Sequence, residues 1–266
     1  NSSVDLALSG VIHSGEDIVL LNGDDDLSAA CSWHAEGYVV TPMLDAQQFD
    51  ALKRGVTSLL REALSEAGGT PDDAFSLDRY HRYCPDQQVH LNVIESLRRR
   101  AAIENLPIDY RILDEKVSEL CGKAVSCNVR SRIASGYFFV RLVRPLPCHD
   151  NNPPHKDAWL DRLRHGVNLY LPLAGSDTNS SLALTPGSHL WKESSIPRTL
   201  SGAEANGVVF NVPSVAMPDD SLRMVRPDVG EGQGLLFSPY LIHGGAVNFN
   251  ADITRVSLEI RFWRCP

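Results

Sequence analysis

The chain predicts an α+β domain, with helices in its first half and short strands in its second. Three observations carry this expectation. Apolar residues recur at three- and four-residue steps up to about residue 120. From Val125 they fall instead into short β-type runs separated by turn residues. Nothing divides the 266 residues, 43% of them hydrophobic: there is no Pro/Gly/Ser linker, low-complexity tract or internal repeat. A chain of this size buries roughly 70–75% of its unfolded surface. One domain over 1–266 is therefore expected, with 1–33 as an N-terminal extension, 34–124 as mainly helical support and 125–266 as the β core.

Residues 1–33 are polar and acidic (Asp24-Asp25-Asp26) and suit either a short strand and loop packed on the body or partial disorder. Tyr38-Val39-Val40 reads as a strand. Asp45 offers an N-cap with Gln48 at the third helical position, the capping-box pattern. Phe49, Leu52, Val56, Leu59, Leu60 and Leu64 then form one apolar helical stripe, stopped by Gly68-Gly69. Further helices are expected over about 87–104 and 110–120, the latter ended by Gly122. Strands are expected at 137–143, 167–173, 181–184, 208–212, 222–225, 235–238 and 255–263. In the last, Val256, Leu258, Ile260 and Phe262 point one way and Arg255, Ser257, Glu259, Arg261 and Trp263 the other. Such alternation suits a strand between a helical layer and a polar barrel interior. Helices followed by seven or eight short strands fit a double-stranded β-helix (a jelly-roll, cupin-like barrel) backed by N-terminal helices.

The net charge of −8 argues against nucleic acid or an anionic membrane as a partner, and Arg98-Arg99-Arg100 reads as a solvated helix face. No apolar run approaches the ~18–20 residues of a membrane span, and no signal-peptide pattern is visible. Cys31, Cys84, Cys121, Cys127, Cys148 and Cys265 are scattered without a Cys-x-x-Cys pair. They read as free, mostly buried thiols of a reducing compartment, so a cytoplasmic location is expected.

Chemistry concentrates in Asn151-Asn152-Pro153-Pro154-His155-Lys156-Asp157 and Leu241-Ile242-His243-Gly244-Gly245. On an extended backbone His155 and Asp157 share a face. With His243 they supply the two imidazoles and one carboxylate that hold non-haem Fe(II) and leave its other positions open. Twelve residues after His243, Arg255 and Ser257 place a guanidinium and a hydroxyl on one strand face, suited to one end of a dicarboxylate.

His-x-Asp, a distal His and this Arg-x-Ser resemble the Fe(II)/2-oxoglutarate-dependent dioxygenases, and within them the phytanoyl-CoA dioxygenase-like group. Glu36-Gly37-Tyr38-Val39-Val40, Leu120-Cys121-Gly122 and Leu184-Thr185-Pro186-Gly187-Ser188-His189 carry the narrower likeness, which runs from about Gly37 to Trp263. The resemblance implies Fe(II), with 2-oxoglutarate and O2 as co-substrates. His155, Asp157 and His243 would be metal ligands and catalytic residues. A carboxylate at 157, where halogenating relatives carry a small residue, implies oxygenation. Hydroxylation is the usual outcome; desaturation, ring closure and epoxidation share the same chemistry.

Tyr137, Phe139 and Arg141 share a strand face that is either the barrel interior, with Arg141 near co-substrate or substrate, or an outer face; Asn168 and Tyr170 pose the same alternative. Arg261 has Glu259 as a possible ion-pair partner. His149, His165 and His189 are not counted as ligands, and segments 192–206 and 213–222 read as loops roofing the site. The expected activity is oxidation of a small-molecule metabolite by a monomer or homodimer. Its rivals are an oxygenase acting on a peptide residue and a β-helix protein that binds small molecules without turnover.

Overall fold

The computed structural model describes residues 8–23, 25–84, 86–129, 136–148, 150–205, 208–217 and 221–265. Asp24, His149, Asn206 and part of the 213–222 segment lie outside the described residues. In the extension, β1 (Leu8–Ser9) and β2 (Ile12–His13) are short strands laid on the body, and Val19 bridges Lys192. The strand-and-loop alternative therefore holds for its described part.

After β3 (Tyr38–Pro42), α1 (Ala46–Glu66) begins with the expected capping box. Asp45 accepts from the Gln48 N–H at 2.8 Å and the Gln48 side chain accepts from the Asp45 N–H at 3.0 Å. Phe49, Leu52, Val56, Leu60 and Leu64 are buried, while Leu59 is half-buried. The helix closes as Gly68 turns to φ +89° and the Gly69 N–H reaches the Leu64 carbonyl at 2.8 Å. A single turn, α2 (Tyr80–Tyr83), precedes α3 (Gln87–Arg99), which stops short of the expected residue 104. The reason is competition for the backbone: Ala101 O accepts from Phe138 N–H at 2.9 Å and Ile103 N–H donates to Gly136 O at 2.8 Å. Then α4 (Arg111–Cys121) ends on Gly122 at φ +59°.

The main sheet combines β3 with β4 (Val125–Ser126), β5 (Phe138–Val143), β6 (Gly166–Ala174), β10 (Gln233–Phe237) and β11 (Arg255–Arg264). Its order is β3-β10-β6-β11-β4, all antiparallel, with β5 also on β11. Val256, Leu258, Ile260 and Phe262 are fully buried against the helices, as their alternation requires. The smaller strands β7 (Arg198–Thr199), β8 (Ala203–Ala205) and β9 (Val208–Phe210) receive the extension: β2 pairs β7, and β8 lies between β1 and β9. The strands expected at 181–184 and 222–225 do not form. The layer facing the main sheet is held instead by isolated bridges, Leu184 to Val225 and His243, His155 to His243, and Arg198 to Val215. Pro153, Pro154, Pro186, Pro213 and Pro227 remove donors along these segments, so ladders cannot extend.

The six cysteines are free, and burial pushes the Cys121 thiol up to about 12. Among the described residues no helix is long and apolar enough to cross a membrane.

A buried polar chain ties α2 and α3 to the loop before the His-x-Asp motif. Tyr80 and His90 Nδ1 are 3.0 Å apart, His90 Nε2 lies 3.5 Å from Asp150, and Asp150 takes two 2.8 Å bonds from Arg144. Burial lowers the His90 pKa to about 4, although Asp150 opposes it. The unfolded chain therefore binds a proton that the folded chain refuses between pH 6.5 and about 4, and stability falls as pH drops through that window. The full loss for a buried imidazole of this kind is on the order of 3 kcal/mol. Urea midpoints measured across this range should fall in the parent protein and fall less in His90→Gln.

Candidate metal centre and its cavity

His155 sits in extended backbone, whereas Asp157 opens a helical turn, Asp157–Trp159, instead of continuing the extension. The two side chains nonetheless converge. His243 is brought to them by reciprocal backbone bonds, His155 N–H to His243 O at 2.8 Å and His243 N–H to His155 O at 2.9 Å. The Gly-Gly turn is required here: a Cβ on Gly244, at φ +108°, would lie 2.6 Å from Pro153 O and 3.1 Å from His155 Nδ1. One ligand atom from each of His155, Asp157 and His243 lies within 4.8 Å of the others, and all three residues are buried. Asp157 Oδ1 is 3.4 Å from His155 Nε2 and 3.8 Å from His243 Nε2.

Both rings are oriented from behind. His155 Nδ1 lies 2.8 Å from Pro153 O and His243 Nδ1 lies 2.9 Å from Leu241 O. A carbonyl accepts only, so each Nδ1 carries the proton and each Nε2 turns its lone pair to the centre. Burial, reinforced by His155, lowers the His243 pKa to about 4, which leaves it neutral and able to ligate at neutral pH. Burial would raise the Asp157 pKa, but Arg261 above all, with the two imidazoles, holds it well below the usual carboxylate range.

Arg261 does not pair with Glu259. Its Nε and Nη2 donate to Asp157 Oδ2 at 3.2 and 3.0 Å, and Glu259 pairs instead with Arg141 at 2.8 Å. Asn168 also donates to Asp157 Oδ2, at 3.0 Å. Tyr170 packs in the second core cluster, with its hydroxyl 2.8 Å from Ser176 and its ring 5.7 Å from the Arg255 guanidinium.

The triad opens into a cavity of about 490 Å³ that also contains Arg255. Tyr137, Phe139 and Arg141 all line it, so their shared face is the interior one. Arg255 Nη1 donates to Ser180 O at 3.1 Å. Its Nε and the Ser257 hydroxyl are buried without a hydrogen-bond partner. Two unpaired polar atoms on one strand face form the cradle a carboxylate would fill. Arg226 is a neighbour that the sequence did not flag; its pKa is lowered to about 10, by burial and then by Arg255. A lone arginine in a loop carries no local signal.

Also unforeseen is Lys156, fully buried between the two proposed ligands of the His-x-Asp motif. Its Nζ donates to Glu193 Oε1 at 2.9 Å, while Glu193 Oε2 accepts from Trp159 Nε1 at 2.8 Å and from Arg198. This network pins the start of segment 192–206, and Val215 N–H bonds Pro154 O at 2.8 Å in the other expected roof loop. Among the described residues, neither segment lines the cavity; Val209, Phe210, Asn211 and Val212 do. Removing one partner of a buried ion pair costs about 3–5 kcal/mol. Glu193→Gln should approach that loss in urea unfolding, and the apolar double variant Lys156→Met with Glu193→Leu should recover only the share owed to Lys156, because Arg198 and the Trp159 N–H lose their acceptor.

A family model described as Phytanoyl-CoA dioxygenase (PhyH) matches residues 33–256. Among solved structures, EctD from S. alaskensis with 2-oxoglutarate and 5-hydroxyectoine aligns at TM-score 0.50 and 15% identity, covering 98% of this chain and 84% of that one. AviO1 from Streptomyces viridochromogenes Tue57 aligns at TM-score 0.49 and 17% identity, covering 92% and 99%. The non-heme alpha ketoglutarate dependent carbocyclase SnoK from nogalamycin biosynthesis aligns at 0.48 and 13%, covering 94% and 87%. No match was found among curated proteins. The family match spans most of the chain and contains all three residues of the buried triad; the chain thus belongs to the phytanoyl-CoA dioxygenase (PhyH) family and is a 2-oxoglutarate-dependent non-haem iron oxygenase.

Proposed function

We propose that His155, Asp157 and His243 hold the iron, that Arg255 and Ser257 anchor the far carboxylate of 2-oxoglutarate, and that the enzyme hydroxylates a C–H bond of a small metabolite. The observation that carries this reading is the pairing, in one cavity, of the buried triad with Arg255, whose Nε is unpartnered, as is the hydroxyl of Ser257 beside it on the same strand face. Bound iron with its co-substrate supplies the oxygen-activating redox chemistry. The chain's own contribution is orientation. Carbonyls of Pro153 and Leu241 fix the imidazole tautomers, and Arg255 offers a planar donor set to a carboxylate. Phe139, Leu182, Val212 and Trp263 wall the cavity and limit water. A volume of about 490 Å³ suits a small molecule better than a peptide side chain on its backbone. Six free thiols favour work in the reducing cytoplasm.

Iron(II) and 2-oxoglutarate added without oxygen should give a weak visible charge-transfer band, and a metabolite library scored by succinate release and a +16 mass change should identify the substrate. Alanine at His155, Asp157 or His243 should abolish turnover and weaken iron binding with the fold intact by circular dichroism. Near-normal activity in any of the three at limiting iron would remove that residue from the centre. Arg255→Lys keeps the charge but loses the fork. It should raise the 2-oxoglutarate KM at least tenfold, about 1.4 kcal/mol, whereas Arg261→Lys should act mainly on stability and metal affinity.

A further inference from the structure

Asp157 presents its two oxygens to different surroundings. Oδ1 faces the Nε2 atoms of both histidines. Oδ2 faces away and accepts three hydrogen bonds, one from Asn168 Nδ2 and two from the Arg261 guanidinium. These donors meet because Asn168 on β6 and Arg261 on β11 are direct partners in the antiparallel register. Arg261 is further fixed by Phe139, whose ring centre lies 5.5 Å from the guanidinium carbon.

We infer that Asn168 and Arg261 form an anion clamp built into the sheet, which grips one carboxylate oxygen and leaves the other as a single-oxygen metal ligand. The inference rests on the assignment of Asp157 as a ligand. Its chemical content is separate, since it says that the donors bind a carboxylate at this position whether or not it is attached to the chain. An unclamped carboxylate can rotate to give a metal both oxygens, which would take up a position that co-substrate or dioxygen needs. Arg261 and Asn168 are thus positioning residues.

Formate, a free carboxylate of minimal size, is the probe. Asp157→Ala removes the side chain but leaves the clamp. Cobalt(II) binding, followed by calorimetry and visible absorption, should weaken at least tenfold in this variant and recover at least tenfold on adding sodium formate. Formamide should restore nothing. In the double variant Asp157→Ala with Arg261→Gln, formate should also restore nothing, because the paired donors are gone. Weak binding that formate does not improve, or equal improvement in the double variant, overturns the clamp alone. Cobalt binding by Asp157→Ala as tight as in the parent protein overturns the ligand assignment and the clamp with it. A measurement independent of variants at 157 uses infrared difference spectra of the zinc-loaded and metal-free forms, with Arg261→Gln beside the parent. One-oxygen ligation gives a wide splitting between the two carboxylate stretches. Arg261→Gln should narrow it, and an unchanged splitting would count against the clamp even if the alanine variants do not fold.

Discussion

The reciprocal backbone pair between His155 and His243 is the constraint on which the site depends. Two bonds join segments far apart in sequence, and each segment carries an imidazole. Neither belongs to a long strand, because prolines and Gly244 prevent one. The contact is therefore short, and its surroundings hold it. Leu184 bridges His243 from the other side, Ser188 Oγ accepts from the Ile242 N–H at 2.8 Å, and Lys156 is locked to Glu193 below. Both His-x-Asp ligand candidates are thereby attached to a rigid frame, although the backbone around them is irregular.

Local signals were read well from the sequence. The capping box at Asp45 and Gln48, the stripe of α1 and the alternation of β11 each depend on neighbours along the chain, so spacing alone exposes them. The triad was also legible, because three residues of two types in two short motifs suffice to name it. What failed was pairing across strands. Glu259 and Arg261 share a face, yet Glu259 pairs with Arg141 on the neighbouring β5, and Arg261 reaches Asp157 in the turn that follows His155. Register is a property of two segments and cannot be seen in one. The early end of α3 has the same origin, since the backbone groups that would extend it are taken by the approach to β5.

Burial of charge distinguishes this interior from an ordinary apolar core. The side chains of Lys156, Glu193, Arg144, Asp150, Arg255 and Asp157 are all buried, within a chain whose net charge is −8. Five of them have a counter-ion within the protein; among the described residues Arg255 bonds only a carbonyl. That asymmetry sets Arg255 apart from the groups whose charge is paired within the frame.

The cavity has two kinds of wall. Arg255, Glu259, Arg261 and Trp263 stand on β11, where a one-residue insertion would turn every side chain to the opposite face. Val209 and Phe210 instead lie on β9, with Asn211 and Val212 following, and β9 is attached through β8 to β1 and not to the main sheet. Changes of length or sequence there leave the register of β11 untouched. The fold thus divides heritable variation into two compartments, one bound to the register of the main sheet and one free to drift at little risk to it.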